Sequence, residues 1–264
     1  LDRNKILIVF VLASGLAWPT VSQAEDEPES WTGDVNLSVA AGSGTTSTFA
    51  GNFDAKTERS FGKDKVGVRF NATLGTSKPR KERTETTQDS QSLTGSWKRI
   101  IHERFFWNSG TEVSRDNVQD RELRALVKTG PGYRFWQGDG DGKEHFDVSA
   151  GLGYRHEIYD GNLAHTPGGE SVQGESFNFA DAVAGFDYKK MLFDDKINFS
   201  HTGDVALPMN DTKAFIVTTE VIVGIPLSKA WSVRFATLVQ YTNFVEDDIE
   251  KLRTTTTVGL GYKF

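Results

Sequence analysis

Period-two alternation of apolar and polar residues, sustained along most of the chain, limits the fold more than any other feature. From Asp34 to Val39 every second residue is apolar: Val35, Leu37 and Val39 share one face with Trp31, and Asp34, Asn36 and Ser38 share the other. Successive side chains of a strand point to opposite sides of a sheet, so this pattern marks a strand with one apolar and one polar face. It returns in Phe49, Phe53 and Ala55, and again in Val66, Val68, Phe70, Ala72 and Leu74. It continues through Leu93 and Trp97; Phe105, Trp107 and Val113; Leu123, Ala125, Val127 and Tyr133; and Phe146, Val148, Ala150, Leu152 and Tyr154. Ala180 to Tyr188, Ile197 to Val205, Phe215 to Val223, Val233 to Val239 and Val258 to Phe264 complete twelve predicted strands. No window of comparable length carries the 3.6-residue period of a helix.

Two all-β architectures accept such strands. A soluble sandwich buries the apolar face between two sheets, whereas a transmembrane antiparallel barrel turns it to lipid and its polar face to the lumen. Three observations favour a single twelve-stranded barrel over residues 25–264. The repeats run for roughly 9 to 14 residues, when ordinary strands cluster near 5 to 6 and a tilted membrane crossing needs about 9 to 11. Long charged side chains crowd the polar face. Aromatic residues gather at strand ends on the apolar face, where a membrane interface would lie. An even strand count puts both termini on one side, the periplasmic side. Trp31, Trp97, Trp107, Tyr133, Tyr188, Trp231 and Tyr262 then fall at one height, with Tyr154 and Tyr241 at the opposite interface.

The same register sorts the charges. Lys65, Arg69, Lys98, Arg124, Lys128, Arg134, Arg155, Arg234, Arg253 and Lys263 are expected inward, facing Asp34, Asp54, Glu112, Glu122, Asp147, Asp181, Asp187, Asp204 and Glu220. Near-balance of sign suits a lumen cross-braced by ion pairs, and it also suits a narrow polar pore for small solutes or ions. Arg69, Arg124, Arg134, Arg155, Glu220 and Arg234 are the candidate lumen-lining residues. Outside the wall, Lys78, Arg80, Lys81 and Arg83 form a basic cluster that could meet lipopolysaccharide phosphates, while Glu246, Asp247, Asp248 and Glu250 fill the last loop. Asn162 to Gly174 is the longest expected loop.

Composition closes several other routes. The 264 residues contain no cysteine, which removes a disulfide framework, thiolate metal sites and a cysteine nucleophile. A mean hydropathy of -0.43 excludes a bundle of apolar helices. Residues 1–24 read as a signal peptide: Arg3 and Lys5 precede an uncharged run from Ile6 to Trp18, and Ser22-Gln23-Ala24 offers a cleavage site after Ala24. Export to the bacterial outer membrane and an acidic mature chain argue against a nucleic-acid partner.

The chain ends Val258-Gly259-Leu260-Gly261-Tyr262-Lys263-Phe264, with alternate hydrophobics closing on a terminal Phe. This resembles the signal that the barrel assembly machinery reads in outer-membrane proteins, carried by Leu260, Tyr262 and Phe264. Gly130-Pro131-Gly132-Tyr133-Arg134, Gly151-Leu152-Gly153-Tyr154-Arg155 and Gly259-Leu260-Gly261-Tyr262-Lys263 repeat one motif, whose glycines are expected to face inward and relieve crowding in the lumen. With Trp31-Thr32-Gly33 and Ile225-Pro226-Leu227-Ser228, these segments resemble the YdiY-like family of salt-induced outer-membrane β-barrel proteins over most of residues 31–264. The resemblance implies an outer-membrane barrel with a role under osmotic or salt stress, and it brings no catalytic residue with it.

Candidate chemistry is sparse. Asp139-Gly140-Asp141-Gly142 opens like a calcium loop, but the fifth and twelfth positions are Lys143 and Ala150, so the later carboxylate ligands are missing. His102, His145, His156, His165 and His201 are scattered and show no metal-site spacing. Ser200-His201 is similar to the serine and histidine of the outer-membrane phospholipase, yet that enzyme places its nucleophile two residues beyond the histidine, where Gly203 stands here. The expectation is therefore a non-catalytic barrel without metal or cofactor. A lipid hydrolase and a surface adhesin are the alternatives from other classes.

Overall fold

The computed structural model describes residues 31–42, 46–79, 85–119, 121–138, 144–159, 162–163, 172–173, 176–210, 214–243 and 251–264. The expected signal peptide, the Asp139 to Lys143 turn and the side chains of the Lys78 to Arg83 cluster lie outside these residues. The strands are β1 (Thr32–Gly42), β2 (Thr46–Phe61), β3 (Asp64–Pro79), β4 (Glu85–His102), β5 (Phe105–Asp116), β6 (Arg121–Gln137) and β7 (His145–Tyr159). Then come β8 (Asn162–Leu163), β9 (Val172–Gln173), β10 (Ser176–Leu192), β11 (Ile197–Pro208), β12 (Ile216–Pro226), β13 (Trp231–Thr242) and β14 (Leu252–Lys263).

Twelve of these close an antiparallel barrel in simple up-and-down order, with β1 against β14, while β8 and β9 form a separate ribbon inside the expected longest loop. The strands are longer than their alternation suggests, up to 18 residues in β4. The alternation is legible only where one face meets lipid, and the strands continue beyond it. All described connections on the side of the termini are short, such as Gly62–Lys63 and Phe193–Lys196, and the gaps on the other side are wider. That asymmetry matches periplasmic turns and outer loops.

The wall is inverted relative to a soluble protein. Leu37 is 62% exposed, and Val39, Leu74, Val127, Leu152, Phe235 and Leu260 are exposed with it, whereas Asn36, Ser38, Asp54 and Asp147 are buried. Water would make such an apolar exterior costly; a hydrocarbon surround makes it the stable face, and closure leaves no lipid-facing edge where the strands are paired. A belt of rings circles the end that carries the termini. Phe105 stacks edge-on against Tyr133 (4.9 Å), Tyr133 against Phe135 (5.0 Å), Phe146 against Tyr188 (6.0 Å), and Trp231 lies 5.0 Å from Tyr262. Phe215 and Tyr241, 5.3 Å apart, mark the opposite interface. On β14, ten residues separate Tyr262 from Leu252, which pairs with Tyr241. At about 3.3 Å per residue and a tilt of about 40° this spans about 25 Å, the height of a lipid-facing band.

Candidate functional site: a lumen crossed by ion pairs

Inside the wall lies a cavity of about 340 Å³. One side is a field of amides and hydroxyls from β1 to β4, including Asn36, Asn52, Asn71, Thr73, Ser90 and Ser92. The other side carries Glu220 and Arg234 among Ile222, Ala236 and Leu238. Charged side chains reach across at three levels.

At mid-height Arg69 of β3 donates through Nε to Asp54 (2.6 Å) and through Nη1 and Nη2 to the two carboxylate oxygens of Glu220 (both 3.1 Å). Glu220 stands on β12, five strands round the barrel from β3, so this bidentate pair spans the lumen. The planar fork of arginine suits such a bridge, because two parallel N–H groups fix both distance and orientation. Lys128 lies 3.5 Å from Asp204 nearby, and Arg234 lies 2.6 Å from Asp34.

Towards the outer end the lumen wall becomes a packed core. Arg155, Glu157 and Asp181 each have 0% exposure. Arg155 donates to both oxygens of Asp181 (3.0 and 3.2 Å), to Glu157 (3.2 Å) and to the Ala214 carbonyl (2.9 Å), with its guanidinium 4.3 Å from the Phe179 ring centre. Arg124 pairs with the same oxygen of Glu157, and the Tyr159 hydroxyl donates to the other (2.9 Å). Tyr159, Phe177, Phe179 and Ala214 pack around this cluster. Arg253 of β14 reaches Asp116 of β5 from the opposite wall. Next to it, Gln88 of β4 donates to Thr255 of β14 (2.8 Å).

At the periplasmic end Arg134 grips Asp147 (2.7 and 2.9 Å), and Lys98 pairs with the same carboxylate while its ammonium sits 3.9 Å over the Phe106 ring. Of the six expected lining residues, Arg69, Arg124, Arg155, Glu220 and Arg234 border the cavity, and Arg134 lies below it in this lower cluster.

Two expectations need correcting. Glu122 does not enter the lumen: the register slips between Arg121 and Leu123, so Arg121 is buried and Glu122 exposed. The repeated glycines are not all relieving side chains of the lumen. A Cβ at Gly151 would stand 2.1 Å from the Thr129 carbonyl oxygen, and one at Gly259 would stand 2.4 Å from that of Leu37, so there the neighbouring backbone itself forbids a side chain. Gly132 does face a ring, since its Cβ would meet Phe106 at 2.1 Å. Alternation missed Asp116, Glu157, Lys56 and Glu58 as lumen partners, although parity with Arg155 would have found Glu157. The inward aromatics Tyr159, Phe177 and Phe179 gave no signal, because inward apolar residues break the pattern that identifies a strand.

Ser200 and His201 point to opposite faces. His201 contacts Thr219 (2.9 Å) and the edge of Phe186 on the outside, while Ser200 pairs in register with Lys189. Among the described residues no three of His, Asp and Glu gather as a metal site.

The profile of a family described as "Protein of unknown function, DUF481" matches residues 35–264. No curated protein matches the chain. Among solved structures, the translocator domain of the autotransporter NalP from Neisseria meningitidis is similar at 11% identity, over 89% of this chain and 88% of that one, with a TM-score of 0.48. The NanC porin is similar at 9% identity, over 88% and 98%, with a TM-score of 0.47. An outer-membrane channel from Pseudomonas putida F1 is similar at 9% identity, over 92% and 99%, with a TM-score of 0.45. What this wall and lumen do is therefore argued from the chain's own residues.

Proposed function

Because the chain belongs to the DUF481 family of proteins of unknown function, its role has to come from the barrel itself, and we propose a non-catalytic outer-membrane barrel that passes small polar solutes through a narrow, ion-pair-braced lumen. The observation that carries this reading is the Arg69–Glu220 bridge across the 340 Å³ cavity. A barrel built only as a wall could fill its middle with packed side chains, as smaller barrels do. Here a polar chamber remains, crossed at its middle by a pair that can part. Part-exposure of Arg69 and Glu220 to the chamber keeps water within reach of both.

Placement in the outer membrane, after removal of residues 1–24, rests on the exposed apolar band, the two aromatic belts and the leader-like start. Outer-membrane lipid and lipopolysaccharide are then its surroundings, and the barrel assembly machinery is the partner that reads Leu260, Tyr262 and Phe264. A part in the response to salt or osmotic stress fits the family resemblance.

Planar-bilayer recording of the purified barrel tests the reading. Small conductance steps are expected from the native protein and several-fold larger ones from Glu220→Ala, in which Arg69 keeps its bond to Asp54 and leaves the opening. Silence from both would mean a closed barrel whose task is envelope integrity.

A further inference from the structure

The seam that closes the barrel is incomplete. β1 and β14 pair from Asp34–Lys263 to Val39–Val258, and the Gly33 and Phe264 backbones exchange hydrogen bonds (3.1 and 3.0 Å) at the periplasmic end. Above Val39 and Val258 no ladder joins Ala40–Gly42 to Leu252–Thr257 among the described residues, although both segments are extended and each pairs with its other neighbour. This gap is inside the membrane. It begins just above Val258 and ends at Leu252, which is level with the outer aromatic Tyr241. It therefore faces the outer leaflet.

A lipid-facing strand edge with unpaired backbone groups is unstable in hydrocarbon unless it borders a polar or water-filled space. The geometry supplies both a cause for the gap and such a space. Upper β14 is tied across the lumen, Arg253 to Asp116 on β5 and Thr255 to Gln88 on β4, so it is drawn towards the far wall and away from β1. Behind it, Thr255 and Thr257 line the lumen cavity.

The lumen wall next to this gap is also anomalous. Inward positions elsewhere are amides, hydroxyls and charges, but Leu238 pairs with Thr255 and Ala236 with Thr257, and Ile222 pairs with Ala236. All three border the cavity. An apolar strip inside a polar lumen, adjoining a parted seam in the hydrocarbon, is matched to a solute that is itself divided. We infer that the β1–β14 gap is a lateral portal, through which a single-chain amphiphile exchanges between the outer leaflet and the lumen. Its alkyl chain lies on Ile222, Ala236 and Leu238, and its polar head meets the amides and hydroxyls of the opposite wall, Asn52, Asn71 and Thr73. This route is independent of axial conduction and would stand if the lumen passed no ions.

The chain has no cysteine, so the seam can be stapled selectively. The probe is a lysophosphatidylcholine with a photoreactive diazirine in its alkyl chain, mixed into phosphatidylcholine vesicles that hold the full barrel. In native protein, irradiation should give adducts on Leu238 and Ile222 as well as on the outward Phe235 and Val223. Oxidation of an A40C/T257C variant, which continues the ladder by one rung, should cut the lumen adducts at least tenfold and leave the outward ones unchanged. Thr257→Trp, which fills the gap without needing the staple to form, should do the same. Lumen adducts that are absent from native protein, or that persist in Thr257→Trp, overturn the portal. Conductance of the same variants reports separately on the axial path, so the two readings fail independently.

Discussion

Single atoms decide more in this barrel than the alternating pattern suggests. Read from the sequence, Gly151 faces a wet lumen and should accept serine with little effect. In the structure its missing Cβ points at the Thr129 carbonyl oxygen at 2.1 Å and the Gly130 Cα at 2.8 Å, where two strands are in close approach. Gly151→Ser is therefore expected to separate β6 from β7 and cost about 1–3 kcal/mol or more, read as a lower urea midpoint in vesicles. Gly132→Ala should cost a comparable amount but be relieved by adding Phe106→Leu, since there the obstacle is a ring that can be shortened. Arg155→Met is expected to be worse than either. It leaves Asp181 without its guanidinium and Glu157 with one fewer, and uncovering buried carboxylates in this way costs about 3–5 kcal/mol. None of this was visible in residue order: the motif Gly-Leu-Gly-Tyr announces a tight place but not what it is tight against.

At the scale of the strand, the sequence was a good guide. Period two assigns each residue to lipid or lumen, and a slip of one residue would exchange every side chain on a strand. Single cysteines should therefore be protected from a membrane-impermeant thiol reagent at Tyr133, Val148, Phe186 and Phe235. They should be labelled at Arg69 and Arg234, which border the open cavity. Labelling is expected to be slow at Arg124 and Arg155, which are buried in the outer cluster. Depth was less legible than face. Val148, which the sequence places mid-membrane, lies two residues from Phe146 of the lower belt, while Ala150 is midway between Phe146 and Tyr154. Ala150→Arg should cost about 2–4 kcal/mol, and Val148→Arg less, measured by the same urea titration. The irregularity between Arg121 and Leu123 escaped notice because a bulge shifts parity without altering composition. Partners across the lumen escaped for a different reason, since strand order brings Arg69 to Glu220 over 151 positions of sequence and no local pattern encodes that meeting.

The molecule as a whole depends on its last residue. Phe264 forms two backbone hydrogen bonds with Gly33, and its ring fills the space a Gly33 side chain would need, within 2.5 Å of where the Cβ would lie. Deleting Phe264 should largely abolish the compact, heat-modifiable gel band in the outer-membrane fraction, with Tyr262→Ala milder, because a barrel that cannot close exposes backbone groups to hydrocarbon at several kcal/mol each. The struts that cross the interior have a mechanical meaning as well. A hollow hoop of twelve strands resists squeezing only through its rim, whereas one tied from Arg69 to Glu220 and from Arg253 to Asp116 behaves like a spoked wheel. Lateral pressure from the bilayer is then shared by charges in the middle of the molecule. Bore and stiffness are set by the same few side chains, so a variant that gains permeability by losing a spoke must also become the softer wheel.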